Sequence, residues 1–372
     1  MKKSSIRTML KCVSLAVLTS LCACTGENMV ETTIQQVVLP LKPLRVGPVS
    51  QYGQLMAGKP DGIGYIYGSC EGAVSGKEVQ VRGMSLYWSI MEAALDFYTE
   101  PAINTMVREM NVEVIRIAEA TVESWGDGYM GYGKDPETAQ QFIQQVVDAA
   151  IRNDIYVIFD WHSHTAEKQV DMAGEFFEYV AKTYGHLDNV IFEVYNEPKG
   201  SWGLPAANEY WPEIKAYADS MISIIRKYSD NLIVVGNPFY SQYPNVAIED
   251  PIDDDNVAYT FHYYANSHKA SSEGKNVEQA MNAGYSVFIT EWGTGNADGK
   301  GTPGVAANNT WQNWVDKNKL SWANWSASRI PEGTAAFDPA STSRNLIYTP
   351  SGAMVKGFLE KSPTRYTACA SK

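Results

Sequence analysis

Eight apolar runs, each closing on polar or aromatic residues, set the pattern of the chain from residue 81 onward. They are VRGMSLY from Val81, VEVIRIA from Val112, IYVIFDWH from Ile155 and VIFEVYN from Val190, then LIVVGN from Leu232, VAYTFHYY from Val257, VFITEWG from Val287 and SWANWS from Ser321. Helical periodicity fills most of the gaps. Phe142, Ile143, Val146, Val147, Ala150 and Ile151 make one apolar face, closed by polar Arg152-Asn153-Asp154. Strands that are apolar throughout, rather than alternating, imply a sheet covered on both sides. Strand–helix alternation implies that the sheet is parallel. Eight such units predict a closed (β/α)8 TIM barrel in preference to an open doubly wound sheet. Ahead of it, Gly-rich alternation from Ile63 to Val81 predicts a short N-terminal hairpin. Residues 24–60 carry several prolines and no sustained period, and read as a flexible linker. The single catalytic domain is expected over 61–366.

The first residues add a destination. Lys2, Lys3, Arg7 and Lys11 flank the apolar run CVSLAVLTSL, which is short for a membrane span and fits a signal peptide over 1–23. Leu21-Cys22-Ala23-Cys24 resembles a bacterial lipobox, which makes Cys24 the expected lipidation site and the cell envelope the expected location. Removing that segment takes away four cations and no acids, so the net charge falls from −12 to about −16. A surface this acidic excludes nucleic acid as a partner and leaves the lipid anchor as the expected membrane contact. Of the 5 cysteines only Cys70 and Cys369 lie beyond residue 24; an oxidising compartment would let them pair. No Cys/His spacing suits a metal, so no cofactor is expected. An aromatic content of 12%, with 10 Trp and 22 Tyr, suits flat ligands such as sugar rings.

Candidate chemistry collects where the runs end. The second run carries Arg116, the third Asp160-Trp161-His162, the fourth Asn196-Glu197, the sixth His262 and Tyr264, the seventh Glu291-Trp292 and the eighth Trp325. In a barrel these strand ends form one rim. Glu197 and Glu291 would face each other across it, and two carboxyl groups flanking a cleft can cleave a glycosidic bond. One must give a proton to the leaving oxygen while the other attacks the anomeric carbon. His262, Tyr264 and Arg116 could favour the ionised form of one, raising its neighbour. The residue types leave open which is which.

The stretches VIRIA, FDWHSH, FEVYNEPKG, FHYYANSH, FITEWGT and SWANWS, in this order over Val81 to Leu359, resemble glycoside hydrolase family five, the cellulases, and most closely its bacterial endo-β-1,4-glucanase branch. The resemblance implies a retaining glucanase acting on β-glucan as a monomer. It makes Glu197 the acid/base and Glu291 the nucleophile, with Asn196 holding the sugar 2-hydroxyl. Arg116 and Tyr264 would orient Glu291, His262 would support Glu197, and His162 and Trp325 would line the cleavage subsite. Trp88, Trp292 and Tyr240 are further candidate substrate contacts. Many family members have a His soon after GMS, where this chain has Leu86-Tyr87-Trp88, and Arg329 stands near where a Lys often meets the glycan. Other signals are set aside. GDGYMG at Gly126 lacks the strand–helix context of a dinucleotide turn, and Asp253 to Asp255 read as a solvated turn. His164 and Glu167 could reach sugar hydroxyls or face water, and Trp125 and Trp202 could stack on sugars or cap the core.

Overall fold

The computed structural model describes residues 41–70, 77–122, 125–128 and 131–369. The expected signal peptide, Cys24 and the first part of the expected linker lie outside them. Two short strands, β1 (Leu55–Gly58) and β2 (Tyr65–Gly68), pair antiparallel. Eight parallel strands close into a barrel: β3 (Arg82–Leu86), β4 (Val114–Ala120), β5 (Tyr156–His162), β6 (Val190–Glu193), β7 (Ile233–Val235), β8 (Val257–Tyr264), β9 (Ser286–Gly293) and β10 (Trp322–Ala327). Each coincides with one of the eight apolar runs, overrunning it by two residues at most, and the strand order follows the chain around to the β10–β3 pairing. Gly83 permits the close β3–β4 approach, since a Cβ there would sit 1.8 Å from the Val114 carbonyl oxygen.

The connecting helices follow from their caps and faces. The helix Pro136–Asn153 starts at Asp135, whose carboxylate accepts from the Thr138 N–H, with Pro136 in its first turn. It buries Ala139, Ile143, Val146, Val147 and Ala150 against the strands, and ends where Asp154 turns left-handed at φ 57°.

The expected linker is shorter than the sequence pattern suggests. Residues 48–52 form a helical turn and 55–58 are β1, both seated on the N-terminal end of the barrel. Asp154 explains the seat: its carboxylate accepts from the Gly47 and Ser50 N–H groups. Val49, Tyr52, Leu55 and Ile66 join Val114, Tyr156, Ile158, Ile191, Val234 and Phe288 in one apolar cluster, which plugs the barrel from below. Pro48, one of the prolines that suggested a linker, opens a helical turn instead. The hairpin consequently begins before Ile63, with a single further bridge between Tyr67 and Glu78. A disulfide joins Cys70 to Cys369 across 299 residues, and the Cys369 N–H bonds to the Ser50 carbonyl at the same pole. None of the described helices is long and apolar enough to cross a membrane.

Candidate active site

At the C-terminal ends of the strands the barrel interior turns from apolar to charged. Arg116 on β4 is fully buried and fans its guanidinium over three strands. It gives Nε and Nη2 to Glu193 at 2.7 and 3.1 Å, Nη2 to Asp160 at 2.9 Å and to Asn196 Oδ1 at 2.7 Å, and Nη1 to Glu291 at 3.0 Å. Glu291 takes a second donor, the Tyr264 hydroxyl, at 2.7 Å. Across the mouth His262 Nδ1 lies 3.0 Å from Glu197, and its Nε2 3.0 Å from the Thr290 hydroxyl. One oxygen of Glu197, one of Glu291 and a ring nitrogen of His262 all lie within 4.8 Å of one another.

A β-bulge aims Glu291. Thr260 pairs with Phe288 but His262 pairs with Glu291, so β9 carries one residue more than β8 over this interval. The extra residue lets both Thr290 and Glu291 reach the barrel interior, which simple alternation forbids. The next side chain must then point outward, and this corrects the expectation for Trp292. It is fully buried in the layer between strands and helices, stacked on Tyr263 with centroids 5.6 Å apart, and cannot meet a ligand in the mouth.

The other predicted residues come together. His162 is held by Asp160 at 2.6 Å from Nδ1 and stacks on Trp325 at 5.1 Å and 9°. Trp88 meets the His162 ring edge-to-face at 4.1 Å, standing where the family's His was missing. Tyr240 lines the cavity on the other side of Glu197. His164 approaches Glu197 at 3.5 Å, whereas Glu167 is turned away to the Tyr195 hydroxyl. Arg329 is engaged by Asp96 at 2.7 Å, and Asp254 is clasped by the Arg226 fork, so neither the glycan contact nor a cation turn is formed there.

Two carboxyl groups of the site, Glu193 and Glu332, escaped the sequence reading, while Asp160 was read with its strand end. Glu193 sits inside an apolar run, and a charge in a continuously apolar strand is the signal that marks it. Glu332 lies beyond the last run and left no such sign. It lines the mouth beside Trp325 and accepts from Thr334 at 2.8 Å. Burial pushes its carboxyl up to about 6.

The electrostatics close as a unit. Three buried carboxyl groups, Asp160, Glu193 and Glu291, and the half-buried Glu197 face Arg116 and His262. Burial opposes charge on His262, but Glu291, Glu193 and Glu197 outweigh it and raise its pKa to about 9. Burial likewise works against the ionised form of Glu197, yet the hydrogen bond and charge of His262 hold its carboxyl below the usual range. Burial raises Glu291 against the pull of His262, with the Glu197 charge adding to the rise. Asp160 is raised strongly, again by burial. Burial and the facing Glu197 charge thus favour the neutral form of Glu291, while His262 favours the ionised form of Glu197.

Two cavities meet at Glu197. One holds both facing carboxyl groups with Tyr87, Trp88, His162, Trp325 and Glu332; the other holds Glu197 without Glu291, lined by His164, Phe239, Tyr240, His262 and His268.

The profile of the family described as Cellulase (glycosyl hydrolase family 5) matches residues 73–329. Endoglucanase Z of Dickeya dadantii is 39% identical over 298 residues, covering 79% of this chain and 66% of that protein. An endoglucanase of Halalkalibacter akibai is 34% identical over 289 residues, 71% of this chain and 35% of its own length. The chain thus spans two thirds or less of these two relatives. Among solved structures, the alkaline cellulase K catalytic domain superposes with a TM-score of 0.73 at 29% identity, covering 87% of this chain and 98% of that one.

Proposed function

The chain belongs to glycosyl hydrolase family 5, and on that premise we propose that it is a retaining endo-β-1,4-glucanase cutting internal bonds of cellulose or related β-glucan by double displacement. One observation carries the reading: oxygens of Glu197 and Glu291 lie within 4.8 Å of each other, on opposite sides of a cleft and with different donors. That separation suits direct attack by a carboxylate and leaves no room for a water between carboxylate and sugar, as inversion requires.

Glu291 is the nucleophile. Arg116 and the Tyr264 hydroxyl take one oxygen each, fixing the carboxylate plane and favouring its ionised form as the sugar arrives. Glu197 is the acid/base. A glycosidic oxygen seated against it accepts a hydrogen bond only from the protonated form, the form from which Glu197 acts as the acid. Glu197 protonates the leaving oxygen while Glu291 bonds to the anomeric carbon; Glu197, now ionised, then takes a proton from the water that releases the sugar. Asn196 Oδ1 accepts from Arg116 Nη2, which leaves the Asn196 amide N–H groups for the sugar 2-hydroxyl. His162 and Trp325 form a flat wall for the reacting ring, and Trp88 and Tyr240 flank it on either side.

Among β-glycans, unsubstituted glucan is the proposed substrate; the endoglucanases among the relatives support it, and Tyr87, Trp88 and Trp325 in the mouth suit flat sugar rings. Activity on carboxymethyl cellulose and lichenan is expected to exceed that on xyloglucan and mannan at least tenfold, measured as reducing ends released. A preference for mannan or xyloglucan would overturn the glucan assignment while leaving the mechanism. A catalytically dead glycan-binding protein is disfavoured, since both carboxyl groups and their donors are present. The LCAC motif further supports export and anchoring to the envelope through Cys24. Mass spectrometry of protein from a membrane fraction should find a diacylglyceryl group on Cys24; an unmodified chain in the soluble fraction would contradict it.

A further inference from the structure

His164 stands two residues beyond β5 and lines both of the cavities that meet at Glu197. Its Nδ1 is turned back on the acid/base, 3.3 Å from the Glu197 main-chain carbonyl and 3.5 Å from Oε2 of its carboxyl group. Two oxygen acceptors facing one ring nitrogen place the proton there, so Nδ1 donates whether the ring is neutral or charged. The opposite oxygen, Oε1, lies 3.0 Å from His262 Nδ1. The Glu197 carboxyl group is thus held between two imidazoles, one at each oxygen.

The backbone fixes this approach. Past the end of β6 the chain stays paired with β5 and its continuation: the Asn196 N–H donates to the Trp161 carbonyl at 3.3 Å, and the Glu197 N–H to the Ser163 carbonyl at 3.2 Å. Ser163 is buried, and its hydroxyl accepts from the Thr165 N–H at 3.0 Å, which turns the chain directly after His164. The imidazole is set between Trp88 and Tyr240, with ring centroids 5.9 and 6.1 Å away. With 35% of its side chain exposed, the ring adds little to the core, and the polar group it meets is the acid/base.

The other titratable groups around Glu197 are sealed in. Arg116 on β4, Asp160 on β5, His262 and Tyr264 on β8 and Glu291 on β9 are all buried. His162 is turned to Asp160 at 2.6 Å, and His268, beyond β8, accepts from the Tyr264 N–H at 2.8 Å, so neither ring hydrogen-bonds to Glu197. His164 is the partner of Glu197 that stands in the open cleft. Burial opposes charge on Glu197, and His262 first, then His164, hold its carboxyl below the usual range. We propose that His164 is a positioning residue for the acid/base: it fixes the Oε2 side of Glu197 and makes that group a stronger acid toward the leaving oxygen than His262 alone would. The inference rests on the acid/base role of Glu197 and adds the residue that adjusts it. A donor beside a carboxyl group favours its ionised form, so removing that donor weakens the acid. A weaker acid transfers its proton more slowly but keeps it to a higher pH.

The test compares wild type with His164→Ala and with His164→Asn, whose amide can place an N–H near the position of Nδ1. On cellotetraose, kcat/KM of H164A should fall about tenfold on the plateau of its pH profile, a part of the roughly 10²–10⁴-fold that a general acid supplies. The alkaline limb, which reports loss of the acid's proton in the free enzyme, should move up by about half a pH unit, so the deficit narrows as pH rises. H164N should recover most of the rate and most of the shift. On dinitrophenyl cellobioside, whose leaving group needs no proton, H164A should lose about twofold or less. A deficit equal on both substrates, or equal at every pH, would mean that His164 only shapes the loop or touches the sugar. No deficit on cellotetraose would mean that Glu197 needs no second partner; each of these results overturns the inference. Glu197→Gln losing as much on dinitrophenyl cellobioside as on cellotetraose would instead overturn the acid/base reading itself, whatever the His164 variants do.

Discussion

Glu291→Gln is expected to lower kcat by on the order of 10⁴ or more on every β-glucan tested, with KM little changed. The amide is nearly isosteric. Its oxygen can accept from Arg116 and its NH2 can donate to the Tyr264 hydroxyl, so the site keeps its shape and loses only the attacking electron pair. Glu197→Gln should behave differently. General-acid help matters in proportion to how poor the leaving group is, and is worth about 10²–10⁴. With a cello-oligosaccharide the loss should approach that of the Glu291 variant. With dinitrophenyl cellobioside, whose leaving group needs no proton, formation of the glycosyl–enzyme should proceed at close to the wild-type rate, visible as a burst of phenolate. The contrast assigns the two carboxyl groups independently of any relative. A burst from the Glu291 variant and none from the Glu197 variant would reverse the roles.

The second large effect concerns stability. Arg116→Met should destabilise the protein by about 3–5 kcal/mol, because it strips the cation from a buried cluster and leaves the carboxyl groups behind. Glu193 and Glu291 would lose guanidinium hydrogen bonds and Asp160 its ion pair, all with side chains that are 5% exposed or less. The deficit should depend on pH with a definite sign. Without the cation these carboxyl groups have folded pKa values above their unfolded ones, so the folded state binds extra protons. Such stability is present at low pH and is lost as pH rises through the raised values. Urea unfolding should therefore show a smaller gap between variant and wild type at pH 5 than at pH 8. Arg116→Lys should recover part of the stability by restoring one charge, without recovering activity, because an ammonium cannot bridge Glu193, Asn196 and Glu291 together. A gap of less than about 1 kcal/mol for R116M, or one that narrows as pH rises, would show that the cluster is not held by Arg116.

The barrel was legible because its strands are covered on both faces: each is an uninterrupted apolar run, and eight such runs admit few other arrangements. The rim was legible for the same reason, since polar groups such as Arg116 and Glu197 stand out against apolar strands. What the pattern hid was local. Trp292 follows Glu291 and was read with it, but a one-residue bulge, invisible in the sequence, put Glu291 inside and Trp292 outside. Residues 48–58 have too short a pattern to show periodicity, and their structure depends on Asp154, a hundred residues away. Glu332 comes after the last strand, in a segment whose approach to the mouth only the folded chain displays.

The disulfide gives the molecule a polarity. Cys70 and Cys369 fasten the entering and leaving segments together, with Cα atoms 5.9 Å apart, at the floor of the barrel. The cleft opens at the opposite end. Anything attached to either terminus, whether a tether, a fused module or a solid support, therefore pulls on the floor, and the tension bypasses the strands that carry Glu197 and Glu291. The two ends can thus be held fast while the face that carries Glu197 and Glu291 stays clear of the attachment.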